Sequence, residues 1–406
     1  MAEIALGTYR MSDLDPNHVA AIRMAVASGV TLIDTSSNYM DGGAERAIAL
    51  AFRNIDAETA AKVEIVGKFG YIQGSALRRF REEGSFNNVV HYAEHLYHCI
   101  DTDFMRDQLA RSLARLNRDR IDCYLIHNPE YYLLDALRRG MPKAERLDAM
   151  LQRILDAFVG LEQEVKAGRI GSYGISSNSF SLPRSSEEFL PYEDLLTLAE
   201  SAARHAGNEH HSFTTLQLPL NLLEREGLKC ASWAKSKELR VLANRPLNAQ
   251  KGSKMYRLAD YAEPSDYYRH LNALLELFEP EPKLQPLYNL LSELDRHRHR
   301  FGWIGDYEQF YHLQVLPLMR SVVKSLPEAS RAMVAESLEQ FFVQYAKMVA
   351  HECSLKTRRE LAEELQGCMK PMQECAVDYL TGLDSVDYVL AGMRKQAYVA
   401  EFTAAT

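Results

Sequence analysis

The chain has 406 residues, 47% of them hydrophobic and 25% charged, with a formal net charge of -8. This is the balance of a globular protein, and its acidic sign argues against a nucleic-acid-binding surface as the main function. No apolar run approaches the length of a membrane span, and the opening MAEIALGTYRMSD lacks the basic-then-apolar pattern of a secretory leader. The six cysteines, Cys99, Cys123, Cys230, Cys353, Cys368 and Cys375, are scattered without a CxxC pair. That predicts reduced thiols in a cytoplasmic protein, with no disulfide framework and no metal site.

In chain order, short β-rich runs alternate with helical patterns. EIALGTYR reads as a strand, and HVAAIRMAVASG as an amphipathic helix closed by Gly29. VTLIDTS, KVEIVGKFG, RIDCYLIHN, RIGSYGISSN, TTLQLPLN, LRVLANRPL and SVDYVLAGMR read as further strands. Between them run helices such as AERAIALAFRN, FMRDQLARSLARLN and MLQRILDAFVGLEQEVKAG. About eight β–α units result, the number a closed (β/α)8 TIM barrel requires. A doubly wound open sheet is the alternative, but the GxGxxG turn usual after its first strand is missing. Two stretches break the rhythm. Residues 70–101 form a connection rich in histidine and aromatic residues. Residues 249–370, between the seventh and eighth strands, read as an all-helical insertion. The predicted organisation is therefore a barrel of residues 1–248 and 371–406, with a large helical insertion of residues 249–370 at the C-terminal face.

Polar residues collect where the strands end. Asp34 ends the second strand, Tyr39 follows it, Lys68 interrupts the third and His127 ends the fourth. Ser176, Ser177 and Asn178 end the fifth, and Gln217 lies inside the sixth. Taken singly, Asp34 could begin a turn, Lys68 could snorkel from an edge and His127 could be a satisfied core histidine. Together they point to chemistry, because a buried lysine needs a partner and Asp34 is on the neighbouring strand. An ammonium near Tyr39 is expected to lower the phenol's pKa from its reference near 10. His127 would orient a carbonyl oxygen or relay the proton, giving a general acid aimed at a carbonyl or, in reverse, a base aimed at an alcohol.

GVTLIDTSSNYMDGGAE, VGKFG, SLARLNRDRIDCYLIHNPE, GRIGSYGISSN, LQLPLNLLE, NRPL and SVDYVLAGMRKQAYVAE together resemble the aldo-keto reductase superfamily, in the family's order. The resemblance covers most of residues 1–248 and about 371–401. It implies NAD(P)-dependent oxidoreduction of a small-molecule carbonyl or alcohol, with Asp34, Tyr39, Lys68 and His127 as catalytic tetrad and Tyr39 as proton donor. It also implies a nicotinamide site of Ser176, Asn178 and Gln217, and cofactor contacts from Asn244, Arg245, Leu247, Gly392, Arg394 and Lys395. GISSN is one residue longer than the family's Gly-x-Ser-Asn, which leaves the role of Ser177 open.

The chain departs from the family pattern in three places. Asn244-Arg245-Pro246-Leu247 replaces an aromatic residue before Ser-Pro-Leu, so the residue that stacks on the nicotinamide is missing. Arg245 either approaches a phosphate or substrate carboxylate or lies on the surface. Arg394 or Lys395 could pair with a 2′-phosphate, which favours NADPH, while Tyr398, Glu401 and Phe402 at the later positions leave NADH open. The chain ends soon after this helix, and the insertion is expected to serve as lid in place of the family's C-terminal tail. His91, His95 and His98 have near-helical spacing but lack an acidic or cysteine partner, and Tyr131 or Tyr132 is placed by position near the substrate. The competing reading is a non-catalytic nucleotide-binding regulatory subunit whose insertion docks a partner.

Overall fold

Eight strands form a closed barrel: β1 (Glu3–Gly7), β2 (Leu32–Asp34), β3 (Glu64–Phe69), β4 (Ile121–His127), β5 (Ile170–Ser176), β6 (Phe213–Pro219), β7 (Arg240–Asn244) and β8 (Tyr388–Ala391). Each is parallel to its neighbours, ring order follows chain order, and β1 closes on β8. The helices that follow are α1 (Pro16–Ala27), α2 (Gly43–Phe52), α3 (Thr102–Leu116), α4 (Lys143–Lys166), α5 (Leu195–Ala206), α6 (Leu228–Ser236), α7 (Met372–Thr381) and α8 (Gln396–Thr403). The alternation legible in the sequence is thus a (β/α)8 barrel. The structure, a computed structural model, describes residues 1–84 and 86–403. Contacts divide the chain into two units, Met1–Pro246 with the chain from Asp378 on, and Leu247–Val377.

Strand periodicity decides what fills the barrel. Ala5, Leu32, Val66, Cys123, Leu125, Leu242 and Leu390 pack as one buried cluster. Two residues beyond Leu32, Val66, Leu125 and Leu242 stand Asp34, Lys68, His127 and Asn244. Side chains two apart share a face, so these polar residues continue the inner layers toward the C-terminal mouth, where barrels of this type carry their sites. Gly174 shows how closely the strands approach there. A Cβ at this position would lie 1.8 Å from the Thr215 carbonyl oxygen, at a register shift between β5 and β6.

The connection after β3 has its own fold. Tyr71–Ile72, Leu96–His98 and Val90–Ala93 form a three-stranded antiparallel sheet, with a helix at Gly74–Glu83. This sheet belongs to the barrel unit.

The second unit is not all helical, contrary to the sequence reading. It opens with an antiparallel hairpin, Asn248–Lys251 paired with Lys254–Arg257. Gly252, at φ 62°, makes the tight turn possible. The strands are too short to show a clear alternation in the sequence. Helices follow, including Tyr267–Phe278, Gln285–His297 and the long Glu328–Glu360. The long helix buries Val334, Leu338, Phe341, Tyr345, Met348 and Cys353, spaced by three to five residues, as one inward stripe.

The cysteines are not all reduced, contrary to what their spacing suggests. Cys368 and Cys375 are joined as a disulfide, and the other four are buried free thiols. The turn before α7 folds the chain back, with the Cys375 amide on the Pro371 carbonyl, which a search for CxxC spacing misses. Among the described residues no helix is long and apolar enough to cross a membrane.

Candidate active site

The centre of the barrel mouth is a buried ion pair. The register sets Asp34 opposite Val66, two residues before Lys68. Lys68 is fully buried and its Nζ donates to Asp34 Oδ1 at 2.5 Å and to the Thr35 carbonyl at 3.0 Å. Burial pulls the Lys68 pKa below its ordinary value, and the Asp34 carboxylate pushes back. The same Nζ lies 5.0 Å from the centroid of the Tyr39 ring.

Tyr39 is half-buried on the loop after β2. Its ring stands edge-on to Tyr9 at 5.2 Å and to His127 at 6.0 Å. Among the described residues its hydroxyl has no hydrogen-bond partner. Burial, then the Asp34 carboxylate, then Tyr9 push the phenol well above its ordinary pKa. The sequence reading expected the opposite shift from Lys68. Two physical facts reverse it: Asp34 cancels much of the ammonium's field, and desolvation penalises a phenolate. The phenol is therefore held protonated, the form from which a general acid acts.

His127 completes the group. Its Nδ1 lies 3.2 Å from Ser36 Oγ. Burial, aided by Lys68 and His98, holds its pKa well below the usual histidine value, so the ring is neutral near pH 7. His98 Nε2 donates to the His127 carbonyl at 2.7 Å. A carbonyl only accepts, which places that proton on Nε2. Burial brings the His98 pKa down to about 4.

Asp34 also joins the other half of the mouth. Gln217 Nε2 donates to Asp34 Oδ1 at 2.6 Å, and Ser176 Oγ donates to Gln217 Oε1 at 2.8 Å. Asn244 Nδ2 reaches the same Oε1 at 3.4 Å, and its own buried Oδ1 has no partner among the described residues. GISSN divides its serines: Ser176 faces Gln217, while Ser177 Oγ donates to Glu130 Oε2 at 2.8 Å. The Asn178 side chain is exposed, and its amide donates to Glu130 Oε1 at 3.0 Å.

The remaining expected cofactor residues lie elsewhere. Arg245, in the left-handed region at φ 56°, pairs with Glu224 at 2.8 Å. Leu247 is buried at the start of the second unit. Gly392 is exposed with open space where a Cβ would sit. Arg394 and Lys395 line a cavity of about 560 Å³ with Asp15, Asn17, His18 and Gln396, where α1 and α8 begin.

Ser36, Glu130 and Tyr71 were not singled out from the sequence, and His98 was weighed there only for its spacing with His91 and His95. Tyr71 lies edge-on to His127 at 4.7 Å, and its hydroxyl accepts from Asn128 Nδ2 at 2.5 Å and contacts the Tyr131 hydroxyl at 3.3 Å. Tyr131 thus belongs to this aromatic group, whereas Tyr132 packs on the Arg153 guanidinium. His91 stacks on Tyr97, His95 is exposed and His98 turns to His127, so the three do not converge.

The family model of the aldo/keto reductase family matches residues 3–406. No curated protein matches the chain. Among solved structures, an aldo/keto reductase from Klebsiella pneumoniae in complex with NADP and acetate is 23% identical, with a TM-score of 0.38, over 60% of this chain and 64% of that one. The chain thus spans under two thirds of the Klebsiella protein's length. An aldo-keto reductase from Bacillus halodurans in its holo form is 14% identical over 99% of this chain and 86% of that one, with a TM-score of 0.48. A glycerol dehydrogenase from Gluconobacter oxydans is 18% identical over 98% and 85%, with a TM-score of 0.48.

Proposed function

Because the chain belongs to the aldo/keto reductase family, we propose that it is a nicotinamide-dependent reductase interconverting a small carbonyl compound and its alcohol. The observation that carries this reading is the fully buried Lys68–Asp34 pair beneath the Tyr39 ring. When bound, the cofactor supplies the hydride. Tyr39 gives its proton to the carbonyl oxygen and recovers it from the alcohol in reverse. Lys68 stabilises the phenolate left behind, and Asp34 keeps Lys68 charged and in place. His127, neutral, holds the carbonyl oxygen beside Tyr39. For that it needs its proton on Nε2, which leaves Nδ1 to accept from the Ser36 hydroxyl in competition with Asn38 Oδ1 at 2.7 Å and the Lys68 carbonyl at 3.4 Å.

The residues present fit a nicotinamide nucleotide. Ser176, Gln217 and the unpartnered Asn244 Oδ1 offer an amide both donors and acceptors. Arg394 and Lys395 offer cations to a 2′-phosphate beside the 560 Å³ cavity. NADPH is therefore the expected cofactor, with NADH second. Titrating the protein with each nucleotide and following protein fluorescence tests the reading. Tighter binding of NADPH, lost in Arg394→Ala/Lys395→Ala, is expected. Binding of neither nucleotide would overturn the reading.

A further inference from the structure

Glu130 has no part in the proton transfer, yet it is only 5% exposed. It follows β4 in HNPE, three residues after His127. Both its oxygens serve the turn that leaves β5. Oε2 accepts from Ser177 Oγ at 2.8 Å, and Oε1 accepts from the Asn178 amide at 3.0 Å. Ser177 Oγ accepts in turn from the Ser179 amide at 3.1 Å and lies 2.7 Å from Ser179 Oγ, so the carboxylate, two hydroxyls and two amides form one connected set. The residue before Ser177 is Ser176, whose hydroxyl holds Gln217. Burying a carboxylate is costly, and a serine-rich turn can be closed by neutral groups. An acid at this place has a consequence that an amide would not: it accepts on both oxygens, and its bonds are charge-assisted.

We propose that Glu130 is a positioning residue of the cofactor site: its carboxylate fixes the turn leaving β5, and with it Ser176 and Gln217 where they would hold the nicotinamide amide. This rests on the reductase reading. Burial lifts the Glu130 carboxyl to about 7, against the bonds from Ser177 and Asn178. The titratable groups facing it are Glu188 and the phenols of Tyr71 and Tyr131. On protonation the proton goes to Oε2, where Ser177 Oγ can accept it and turn its own hydrogen to Ser179 Oγ. The Asn178 amide then bonds a neutral carboxyl, and the set weakens as charge-assisted bonds are lost when pH falls through about 7.

The test measures the NADPH Kd by fluorescence on both sides of that pH for the wild type, Glu130→Gln and Ser177→Ala. The probe's phosphate titrates identically in all three, so differences between the curves report Glu130. Above neutrality Glu130→Gln is expected to bind roughly tenfold more weakly, as charge-assisted bonds become neutral ones. It should also lose the additional loosening that the wild type shows toward acid, and its cofactor KM should rise more than its kcat falls. Ser177→Ala should weaken binding severalfold while keeping the pH dependence, and it serves if Glu130→Gln does not fold. Unchanged Kd and pH profile in the folded variants would overturn the proposal. Failure of the wild type to bind NADPH at any pH would instead overturn the reductase reading.

Discussion

Both units contain buried phenols, and the two units use them differently. In the second unit the Tyr267 hydroxyl donates to Asp295 Oδ1 at 2.8 Å, and the Tyr345 hydroxyl donates to the Leu294 carbonyl at 2.9 Å. Each is committed to holding two helices together. At the barrel mouth the Tyr39 ring is held by its neighbours, Lys68, His127 and Tyr9, and its hydroxyl has no partner among the described residues. The cations differ in the same way. Arg298, in the second unit, is about a quarter exposed and divides itself between Asp295 and Glu352. Lys68 is fully buried on one carboxylate. A buried ion pair contributes little net stability compared with apolar packing. The mouth therefore holds a charge and a phenol that the fold itself does not require, as the proposed active site would.

The largest expected effect comes from breaking the pair. Lys68→Met leaves the Asp34 carboxylate buried with only Gln217 to bond it, and should cost about 3–5 kcal/mol in urea unfolding and abolish reduction. Adding Asp34→Asn should recover much of the stability and none of the activity. Full stability in the single variant would show that the buried Asp34 does not need the Lys68 ammonium in the folded protein. A smaller effect is expected in the second unit. Tyr267→Phe removes one bond from Asp295, which Arg298 still holds, and should cost about 1 kcal/mol with reduction unchanged. A loss of turnover larger than the loss of stability would erase the distinction between the two kinds of phenol.

The smallest effect is one of pH. His98 and His127 are held neutral by burial, with pKa values depressed relative to the unfolded chain. Between the ordinary histidine value and about 4, the unfolded chain binds protons that folded His98 refuses. Stability should therefore rise with pH across that window. His98→Gln keeps a donor for the His127 carbonyl and should flatten part of the slope. An unchanged slope would mean that His98 is charged in the folded protein.

How much of this was legible depends on distance along the chain. Asp34, Lys68 and His127 could be read because each continues an apolar strand by two residues, and strand order made the first two neighbours. The helical character of Glu328–Glu360 was legible for a similar reason, as a local period. Glu130 was not, because Ser177 lies 47 residues away and neither residue breaks a pattern. Ser36 reaches His127 across 91 residues. The sign of the Tyr39 shift was misread because it depends on burial and on the balance between Lys68 and Asp34, which only coordinates supply. Arg245 gave no hint of Glu224, its partner on the loop after β6. The hairpin at the start of the second unit and the Cys368–Cys375 pair were missed as short, local closures without a strong sequence period.

The most direct test compares single-turnover oxidation of bound NADPH by a small aldehyde in the wild type and in Tyr39→Phe. With Tyr39 as proton donor, the variant should bind NADPH as the wild type does and react about 10²–10⁴-fold more slowly. A variant that reduces the aldehyde at the wild-type rate would contradict the assignment of Tyr39 and, with it, the role given to the buried pair beneath its ring.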